Sequence, residues 1–189
     1  NRKYLKATFS RFISRLERSG ESFAVALLDI DHFKQLNDTF GHSYGDDVLH
    51  RVSEEIRHAI RSSDELIRYG GEEFLILLNV SDRAIVESVL ERVRTRIEEM
   101  EFPYEHQVTV SIGYTRVCQT GYTLGEWCAY ADEALYKAKR DGRNRVVRYT
   151  SAVREEKRIA YVTMSENTYT SLANRLPKEH RRYEVVYRP

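Results

Sequence analysis

Two short acidic segments in this sequence carry side chains that could hold a divalent cation. Asp29-Ile30-Asp31 ends an apolar run that starts at Phe23, and Glu72-Glu73 follows two glycines. Adjacent carboxylates repel each other unless a cation lies between them. Acids that end a buried strand lie at the edge of a sheet, where ligand sites form in α/β folds. If the two strands are neighbours, Asp29 and Glu72 can share one cation through oxygen ligands, which favours Mg²⁺ over Zn²⁺.

The second acidic segment lies in a predicted hairpin turn. Leu66 and Ile67 precede Arg68-Tyr69-Gly70-Gly71, and the apolar residues 74–78 follow the two glutamates. Two apolar runs separated by a short segment that contains glycine predict antiparallel strands joined by a tight turn. We expect Gly70 and Gly71 to supply the positive φ values of this turn and to leave its backbone bare enough for a ligand to approach.

The composition excludes several classes of protein. The chain has 189 residues, enough for one domain with an appendage. Lys and Arg total 30 against 29 Asp and Glu, so no overall basic field favours nucleic-acid binding. No apolar run approaches the roughly 20 residues of a membrane span, and no signal peptide is visible. The only cysteines, Cys118 and Cys128, fit a reducing compartment; we expect a cytoplasmic location and both thiols in the core.

The spacing of apolar residues predicts strands that alternate with helices, with one hairpin, and therefore a mixed α/β domain. After an N-terminal helix that Gly20 ends, helices are predicted over residues 33–40, 46–61, 82–100 and 124–141. Strands are predicted over residues 23–30, 65–69, 74–79, 108–117 and 145–149. The residues expected to face the core include Leu5, Phe9, Phe12 and Leu16 in the first helix, Ile85, Val89, Val93 and Ile97 in the helix after the hairpin, and Val108, Val110 and Ile112 in the fourth strand.

Residues 150–189 continue beyond this pattern. Strands are predicted over 159–164 and 183–187, and a helix over 166–176 with Ser165 as its N-cap and Pro177 after it. The segment has enough aromatic and β-branched residues to fold against the main domain. A packing appendage and a partner-binding segment both stay open as its role.

Six motifs occur in the order and at the spacing of a known family. They are Asp29-Ile30-Asp31-His32-Phe33-Lys34, Asn37-Asp38, Gly41-His42, Gly45-Asp46, Gly70-Gly71-Glu72-Glu73-Phe74, and the segment 131–139 (ADEALYKAK) followed by Gly142-Arg143-Asn144. On these residues the chain resembles the GGDEF-domain diguanylate cyclases, in the variant whose signature reads GGEEF. The resemblance covers residues 1–149, which we take as one domain, and leaves residues 150–189 as a C-terminal extension.

The resemblance implies a central, mainly antiparallel five-stranded sheet flanked by helices, as in nucleotidyl cyclases and polymerase palm domains. It implies an enzyme that condenses two GTP molecules into cyclic di-GMP and releases two pyrophosphates. Mg²⁺, with Mn²⁺ as an alternative, would be the cofactor. Each domain would hold one GTP, so catalysis would need a homodimer of facing half-sites. Relatives carry a sensory or dimerising region upstream, so we expect one, in some cases membrane-bound, before Asn1.

The resemblance also assigns roles to the acidic residues. Asp29 and Glu72 match carboxylate ligands of the metal, and the backbone carbonyl of Ile30 matches a third ligand. Glu73 matches a residue that helps to bind the metal or to deprotonate the nucleophile. Asp31 is a weaker candidate for such a role.

Three basic residues, Lys34, Lys139 and Arg143, match positions that contact the phosphates of GTP in the family. The amides of His32 and Phe33 could cradle a phosphate at the start of a helix, and Gly70 and Gly71 allow the substrate to approach. The alternative for Lys139 is a solvated position at a helix C-terminus, where a positive charge suits the helix dipole.

Asn37 and Asp46 match the residues that recognise guanine, and Leu49 would line the base pocket. A carboxylate accepts hydrogen bonds from guanine N1–H and N2–H₂, which adenine does not offer. The alternative is that Asp46 caps the helix predicted over 46–61, and both roles can hold together.

Arg61-Ser62-Ser63-Asp64 matches the Arg-x-x-Asp motif at which cyclic di-GMP inhibits members of the family, and Arg92 matches a second contact. A catalytically silent cyclic di-GMP receptor that binds through Arg61 and Asp64 is the alternative function. The histidines show no metal-ligand spacing, and His42 is expected to support the loop between two helices.

Overall fold

The computed structural model of the protein describes residues 2–150, and these form alternating helices and strands as predicted. The helices are α1 Arg2–Ser19, α2 Phe33–Phe40, α3 His42–Ala59, α4 Arg83–Glu98 and α5 Leu124–Arg140, with a short 3₁₀ helix at Pro103–Glu105. The strands are β1 Phe23–Ile30, β2 Glu65–Arg68, β3 Glu73–Leu78, β4 Val110–Val117 and β5 Val146–Arg148. The elements predicted over residues 159–164, 166–176 and 183–187 lie outside the described residues.

The five strands form one sheet in the order β2-β3-β1-β4-β5. β1 lies at its centre and pairs antiparallel with both β3 and β4, whereas β4 and β5 pair in parallel. All eight residues of β1 are buried because helices cover both faces of the sheet. The prediction of a mainly antiparallel five-stranded sheet flanked by helices is confirmed.

Alternate residues of β1 point into two separate hydrophobic layers. Ala24, Ala26 and Leu28 pack with α3 and α4 on one face. Val25 and Leu27 pack on the other face with α1 and α5. The predicted inward residues of α1, Leu5, Phe9, Phe12 and Leu16, are all buried in this second layer.

Two predicted core residues lie on the surface instead. Ile85 is 42% exposed, because α4 starts at Arg83 and its buried face begins with Val86 and Leu90. Cys118 is exposed because it lies one residue after β4 ends at Val117, whereas Cys128 is buried in α5 as expected.

Helix α3 begins four residues before the predicted start. His42 is its first residue and Gly41, with φ of 86°, is its N-cap. Asp46 therefore lies one turn inside the helix, and the expectation that it caps the helix is wrong. β4 likewise starts at Val110 and not at residue 108, although Val108, Val110 and Ile112 share one hydrophobic layer as predicted.

Within residues 2–150, no helix combines the length and the apolar character that a membrane crossing requires.

Candidate functional site

The hairpin between β2 and β3 presents the two glutamates at one end of the sheet. Arg68 and Phe74 are paired in the strand register. The backbone N–H groups of Tyr69 and Gly70 both donate to the carbonyl of Glu73, at 2.8 and 3.2 Å. The guanidinium of Arg68 donates to the carbonyl of Gly71 at 2.8 Å. These bonds fix the path of the chain immediately around Glu72.

Neither signature glycine has a positive φ value in the turn. The described glycines with positive φ are Gly20, Gly41, Gly121 and Gly142, so that expectation for Gly70 and Gly71 is wrong. A Cβ atom on Gly70 would lie 2.5 Å from Oε2 of Glu73. A Cβ on Gly71 would meet no atom within 4 Å, so the surface there is open as expected for the approach of a ligand.

The register of the sheet brings the two acidic segments together. Asp29 on β1 is paired with Glu73 on β3, and the N–H of Ile30 donates to the carbonyl of Glu72 at 3.4 Å. Asp29 is 7% exposed. Burial raises the pKa of its carboxyl above the ordinary range; a hydrogen bond and the charge of Lys139 oppose this rise, and the charges of Glu72 and Glu73 add to it.

Lys139 pairs directly with Asp29. Its Nζ donates to Oδ2 of Asp29 at 2.8 Å, although the two residues lie on α5 and β1. α5 approaches the sheet this closely because β4 carries Gly113, where a Cβ would lie 2.1 Å from the backbone nitrogen of Leu135. The structure thus places Lys139 against a carboxylate of the site and not in bulk solvent.

The chemistry of these donors fits a hard divalent cation. Asp29, Glu72 and the carbonyl of Ile30 offer oxygen ligands at one end of the sheet, and three carboxylates concentrate negative charge there. The ammonium of Lys139 shows that a positive charge is accommodated against Asp29. In the described part of the chain, no three His, Cys, Asp or Glu side chains are grouped as a metal site, so the Ile30 carbonyl would be needed as the third ligand.

Asp31 forms its own set of hydrogen bonds, separate from the pair of Asp29 and Lys139. Its carboxylate accepts hydrogen bonds from Ser111 Oγ at 2.7 Å, Thr109 Oγ1 at 2.8 Å and the backbone N–H of Asn144 at 3.1 Å. The side chain is buried at 7% exposure. This network ties the loop after α5 to the end of β1.

The loop that carries Arg143 has an unusual backbone. Gly142, Arg143 and Asn144 have φ values of 112°, 60° and 46° in succession. Left-handed conformations are disfavoured for residues with a Cβ and persist where surrounding contacts impose them. The side chain of Asn144 supplies such contacts, since it accepts from Arg94 at 2.9 Å and donates to Glu98 at 2.7 Å. Arg143 is exposed in this loop, and its backbone N–H donates to the carbonyl of Ala138 at 2.9 Å.

The chain turns from β1 into α2 at His32, whose φ is 58°. The carbonyl of His32 accepts the N–H of Leu36 at 3.0 Å, so the helix starts at once after the acidic segment. The first N–H groups of a helix have no acceptor within it and are suited to an anion. The amides of His32 and Phe33 and the exposed side chain of Lys34 therefore lie at the N-terminus of a helix, as predicted.

Asp46 and Leu49 line one cavity of about 360 Å³ together with Leu66, Arg68 and Phe74. Leu49 and Phe74 are buried, and Asp46 is exposed at the rim. A carboxylate beside apolar walls suits a flat base with hydrogen-bond donors on its edge.

Asn37 is positioned by its contact with α3. Its Oδ1 is buried without a hydrogen-bond partner in the described structure, and a Cβ on Gly45 would lie 1.9 Å from that atom. A buried acceptor without a donor is costly. The Oδ1 atom of Asn37 could therefore accept a hydrogen bond from a ligand.

The Arg-x-x-Asp segment follows the end of α3. The carboxylate of Asp64 accepts from the backbone N–H of Arg61 at 2.9 Å and of Asn79 at 2.8 Å. The guanidinium of Arg92 donates to the carbonyl of Ala59 at 2.6 Å, so it lies at the same helix end. Arg61 and Asp64 line one surface cavity. The three residues thus lie around one helix end, and their backbone bonds give Asp64 and Arg92 a structural role as well.

Three residues around the site carried no predicted role. Arg68 holds the hairpin tip, and Thr109 and Ser111 bind Asp31. Only Arg68 had a signal, because it immediately precedes the glycines.

Comparison with known proteins gives a family over most of the chain. The family described as "Diguanylate cyclase, GGDEF domain" matches residues 1–145. Diguanylate cyclase DosC of Escherichia coli is 38% identical over 149 residues, which are 77% of this chain and 32% of that protein. The chain spans about a third of the length of the curated relatives it matches.

Solved structures share the fold. The active GGEEF domain of a diguanylate cyclase from Vibrio cholerae aligns with a TM-score of 0.74 and 32% identity, over 79% of this chain and 97% of that one. The GGDEF domain of DgcB from Caulobacter crescentus, in complex with c-di-GMP, aligns with a TM-score of 0.71 and 34% identity, over 78% and 90%.

Proposed function

The chain belongs to the GGDEF-domain family of diguanylate cyclases, and from this premise we propose that it condenses two GTP molecules into cyclic di-GMP and releases two pyrophosphates. The observation that carries the proposal is the meeting of Asp29, Glu73 and Lys139 at one end of the sheet, with Lys139 Nζ 2.8 Å from Asp29. Residues from distant parts of the sequence therefore lie close together, and the roles we propose for them are metal binding and phosphate contact.

The carboxylates of Asp29 and Glu72 and the carbonyl of Ile30 would hold Mg²⁺, or Mn²⁺ in its place. Such an ion neutralises charge on the phosphates as the attacking and leaving oxygens pass in line. Glu73 lies directly opposite Asp29 and is placed to assist the ion or to accept the proton of the attacking 3′-hydroxyl.

Positive charge for the triphosphate would come from Lys34, Lys139 and Arg143, and from the amides of His32 and Phe33. Lys139 has a second task, because its ammonium balances Asp29 when no cation does so. The open surface at Gly71 leaves room for the phosphates to reach these groups.

Guanine would bind in the cavity that Asp46 and Leu49 line. Asp46 would accept from N1–H and N2–H₂, and Asn37 would meet a further polar group of the base. Adenine lacks these donors, so it would leave the carboxylate unpaired at a cost of about 1–3 kcal/mol.

One chain holds only half of the reaction, because the 3′-hydroxyl of each GTP must attack the α-phosphate of the other. Two domains must therefore face each other, and an upstream sensory or dimerising region would impose that arrangement. We expect this chain by itself to be mostly monomeric and weakly active, in the cytoplasm where GTP is available. Residues 1–149 form the catalytic domain in this proposal, and residues 150–189 form an extension that packs on it or binds a partner.

Product inhibition would act through Arg61 and Asp64, with Arg92 as a second contact. Arginine binds both phosphates and guanine edges through paired hydrogen bonds. The placement of all three residues around the end of α3 supports this proposal. It also supports the alternative of a silent receptor, should the chain prove inactive.

The test is incubation of the chain at high concentration with GTP and Mg²⁺, followed by chromatographic separation of the products. Glu72→Gln removes one ligand charge, and Glu21→Gln, at an exposed position before β1, is the matched control. The proposal predicts cyclic di-GMP from the parent and from Glu21→Gln and none from Glu72→Gln. No product from the parent, even with two copies fused to a dimerising partner, would contradict it, and retained binding of cyclic di-GMP would then favour the receptor.

A further inference from the structure

Three arginines line one cavity at the end of the sheet that is opposite to the acidic site. The cavity has a volume of about 460 Å³, and Arg83, Arg116 and Arg148 contribute to its wall with Ser81, Val86 and Tyr114. On β4, Arg116 pairs with Ala24 of β1, whereas Ser111 pairs with Asp29. Five residues of strand separate these pairs, or about 17 Å at the usual rise per residue. The cavity is thus distinct from the proposed active site.

Three different elements bring the arginines together. Tyr114 on β4 is paired with Arg148 on β5, and Arg116 lies two residues further along β4 on the same face. Arg83 is the first residue of α4, which covers that face. The convergence therefore follows from the topology of the sheet and its helix.

Two acidic groups lie at the cavity, Asp82 in its wall and Glu87 beside it, and both are already engaged. Glu87 accepts from Arg83 at 2.9 Å and from the hydroxyl of Tyr114 at 2.8 Å. The carboxylate of Asp82 caps α4 by accepting from the N–H of Ile85 at 3.1 Å.

Arg116 and Arg148 are less engaged than Arg83, although the charge of Arg148 acts on the carboxylate of Glu87. Arg116 donates to the hydroxyl of Ser22 at 3.1 Å. Across residues 2–150, no carboxylate forms an ion pair with Arg116 or Arg148. Like charges that share a concave surface repel each other, and an anion between them removes this cost.

We propose that this cavity binds the phosphate group of a small anion. A guanidinium presents its donors in a planar fork that matches two phosphate oxygens, so Arg116 and Arg148 can each bind a phosphate bidentately. The volume is within the range of small-molecule sites and exceeds what a free phosphate needs. Ser81 offers a further polar contact in the cavity wall, and its hydroxyl lies 2.5 Å from that of Ser22.

The experiment is isothermal titration of the full chain with inorganic phosphate and, separately, with ribose 5-phosphate, in the absence of divalent cations and guanine nucleotides. The test variant carries both Arg116→Gln and Arg148→Gln. The matched control is Arg18→Gln, which changes an exposed arginine of α1. We expect the double variant to bind at least about tenfold more weakly, since it loses two charge-assisted contacts. Arg18→Gln should stay within about twofold of the parent, as a distant surface charge is screened.

A further variant separates this site from other causes. Arg148→Lys keeps the charge but loses the planar fork, so an intermediate loss of affinity supports the bidentate contact. Tighter binding of ribose 5-phosphate than of phosphate would identify a phosphorylated small molecule as the ligand class, and equal binding would identify the phosphate group alone.

Unchanged affinity in the double variant would overturn the proposal. An equal loss in Arg18→Gln would overturn it as well, because binding would then follow net charge. Thermal unfolding of each variant checks that the fold is retained.

Discussion

The backbone N–H of Asn144 donates to the buried carboxylate of Asp31 at 3.1 Å, although 113 positions separate the two residues. The bond holds a loop with three successive positive φ values against the end of β1. Because Arg143 lies in that loop, the second aspartate of the Asp29-Ile30-Asp31 segment positions a proposed phosphate contact without touching the substrate.

Asn144→Ala should weaken the use of GTP more than it slows the chemical step. Alanine removes the hydrogen bonds to Arg94 and Glu98 and is disfavoured in the left-handed conformation by about 1–2 kcal/mol. We expect the KM for GTP to rise about tenfold, which corresponds to about 1.4 kcal/mol, with a smaller change in kcat.

Asn144→Gly is the matched variant, since glycine tolerates the positive φ but lacks the side-chain bonds. It should retain more stability than Asn144→Ala and still show a raised KM. Equal KM values in the parent and in both variants would show that the network does not position Arg143. Steady-state kinetics and thermal unfolding of the three proteins make the comparison.

Asp29→Asn should stabilise the metal-free fold at neutral pH. Burial raises the pKa of Asp29, so its contribution to stability is present below the ordinary Asp pKa and is lost as the pH rises through the raised value. Asparagine does not titrate, so the variant should gain stability relative to the parent as the pH rises from about 4 towards neutrality.

Urea unfolding of parent and variant across this pH range measures the difference, and Asp38→Asn, at an exposed position on α2, is the control. Added Mg²⁺ should stabilise the parent and not Asp29→Asn, because the variant lacks a ligand charge. A stability difference that does not change with pH would contradict the prediction.

Asp46→Asn should relax the preference for guanine. The single amide oxygen of asparagine can accept fewer hydrogen bonds from guanine N1–H and N2–H₂ than the carboxylate can. The NH₂ group of the amide is itself a donor, so it cannot pair with those donors. We expect kcat/KM for GTP to fall by about 10- to 100-fold, which corresponds to about 1.4–2.7 kcal/mol, with a smaller effect on inosine triphosphate, which lacks the 2-amino group.

The neighbouring Asp47 provides the control for this experiment. It is exposed on the next position of α3 and does not line the cavity that Asp46 lines. Asp47→Asn should therefore behave like the parent. Similar losses in both variants would assign the effect to the charge of α3 and not to base recognition.

Arg61→Ala should weaken inhibition by cyclic di-GMP. The change removes a guanidinium that can bind guanine or phosphate, and we expect the inhibition constant to rise by at least about tenfold. Arg61 is a better choice than Arg92, because Arg92 also donates to the carbonyl of Ala59 and its loss would disturb the end of α3. Arg18→Ala serves as the control, and equal inhibition of Arg61→Ala and the parent would remove this site from the account.

The sequence predicted the parts of this structure that depend on local pattern and on motif order. The continuous apolar run of β1 predicted a buried strand, and the spacing in α1 predicted its buried face. The sequence brought Asp29 and Glu72 together only on the condition that their strands are neighbours, and the antiparallel pairing of β1 with β3 meets that condition.

The predictions that were wrong or missing concern features that depend on the exact first residue of a helix or on a contact between distant parts of the chain. The inward face of α4 shifts from Ile85 to Val86 because the helix starts at Arg83, and no apolar pattern fixes that start. Gly70 has no positive φ value, and a Cβ there would instead meet the carboxylate of Glu73. The pairing of Asp31 with Asn144 needed the fold, since nothing near either residue in the chain indicates the other.

The proposed cyclase activity can be measured directly by following cyclic di-GMP and pyrophosphate together in one reaction of GTP, Mg²⁺ and the chain fused to a dimerising partner. We expect two pyrophosphates for each cyclic di-GMP, and neither product from Glu72→Gln. Release of orthophosphate, or of pyrophosphate without cyclic di-GMP, would show a different reaction at this site and would contradict the account.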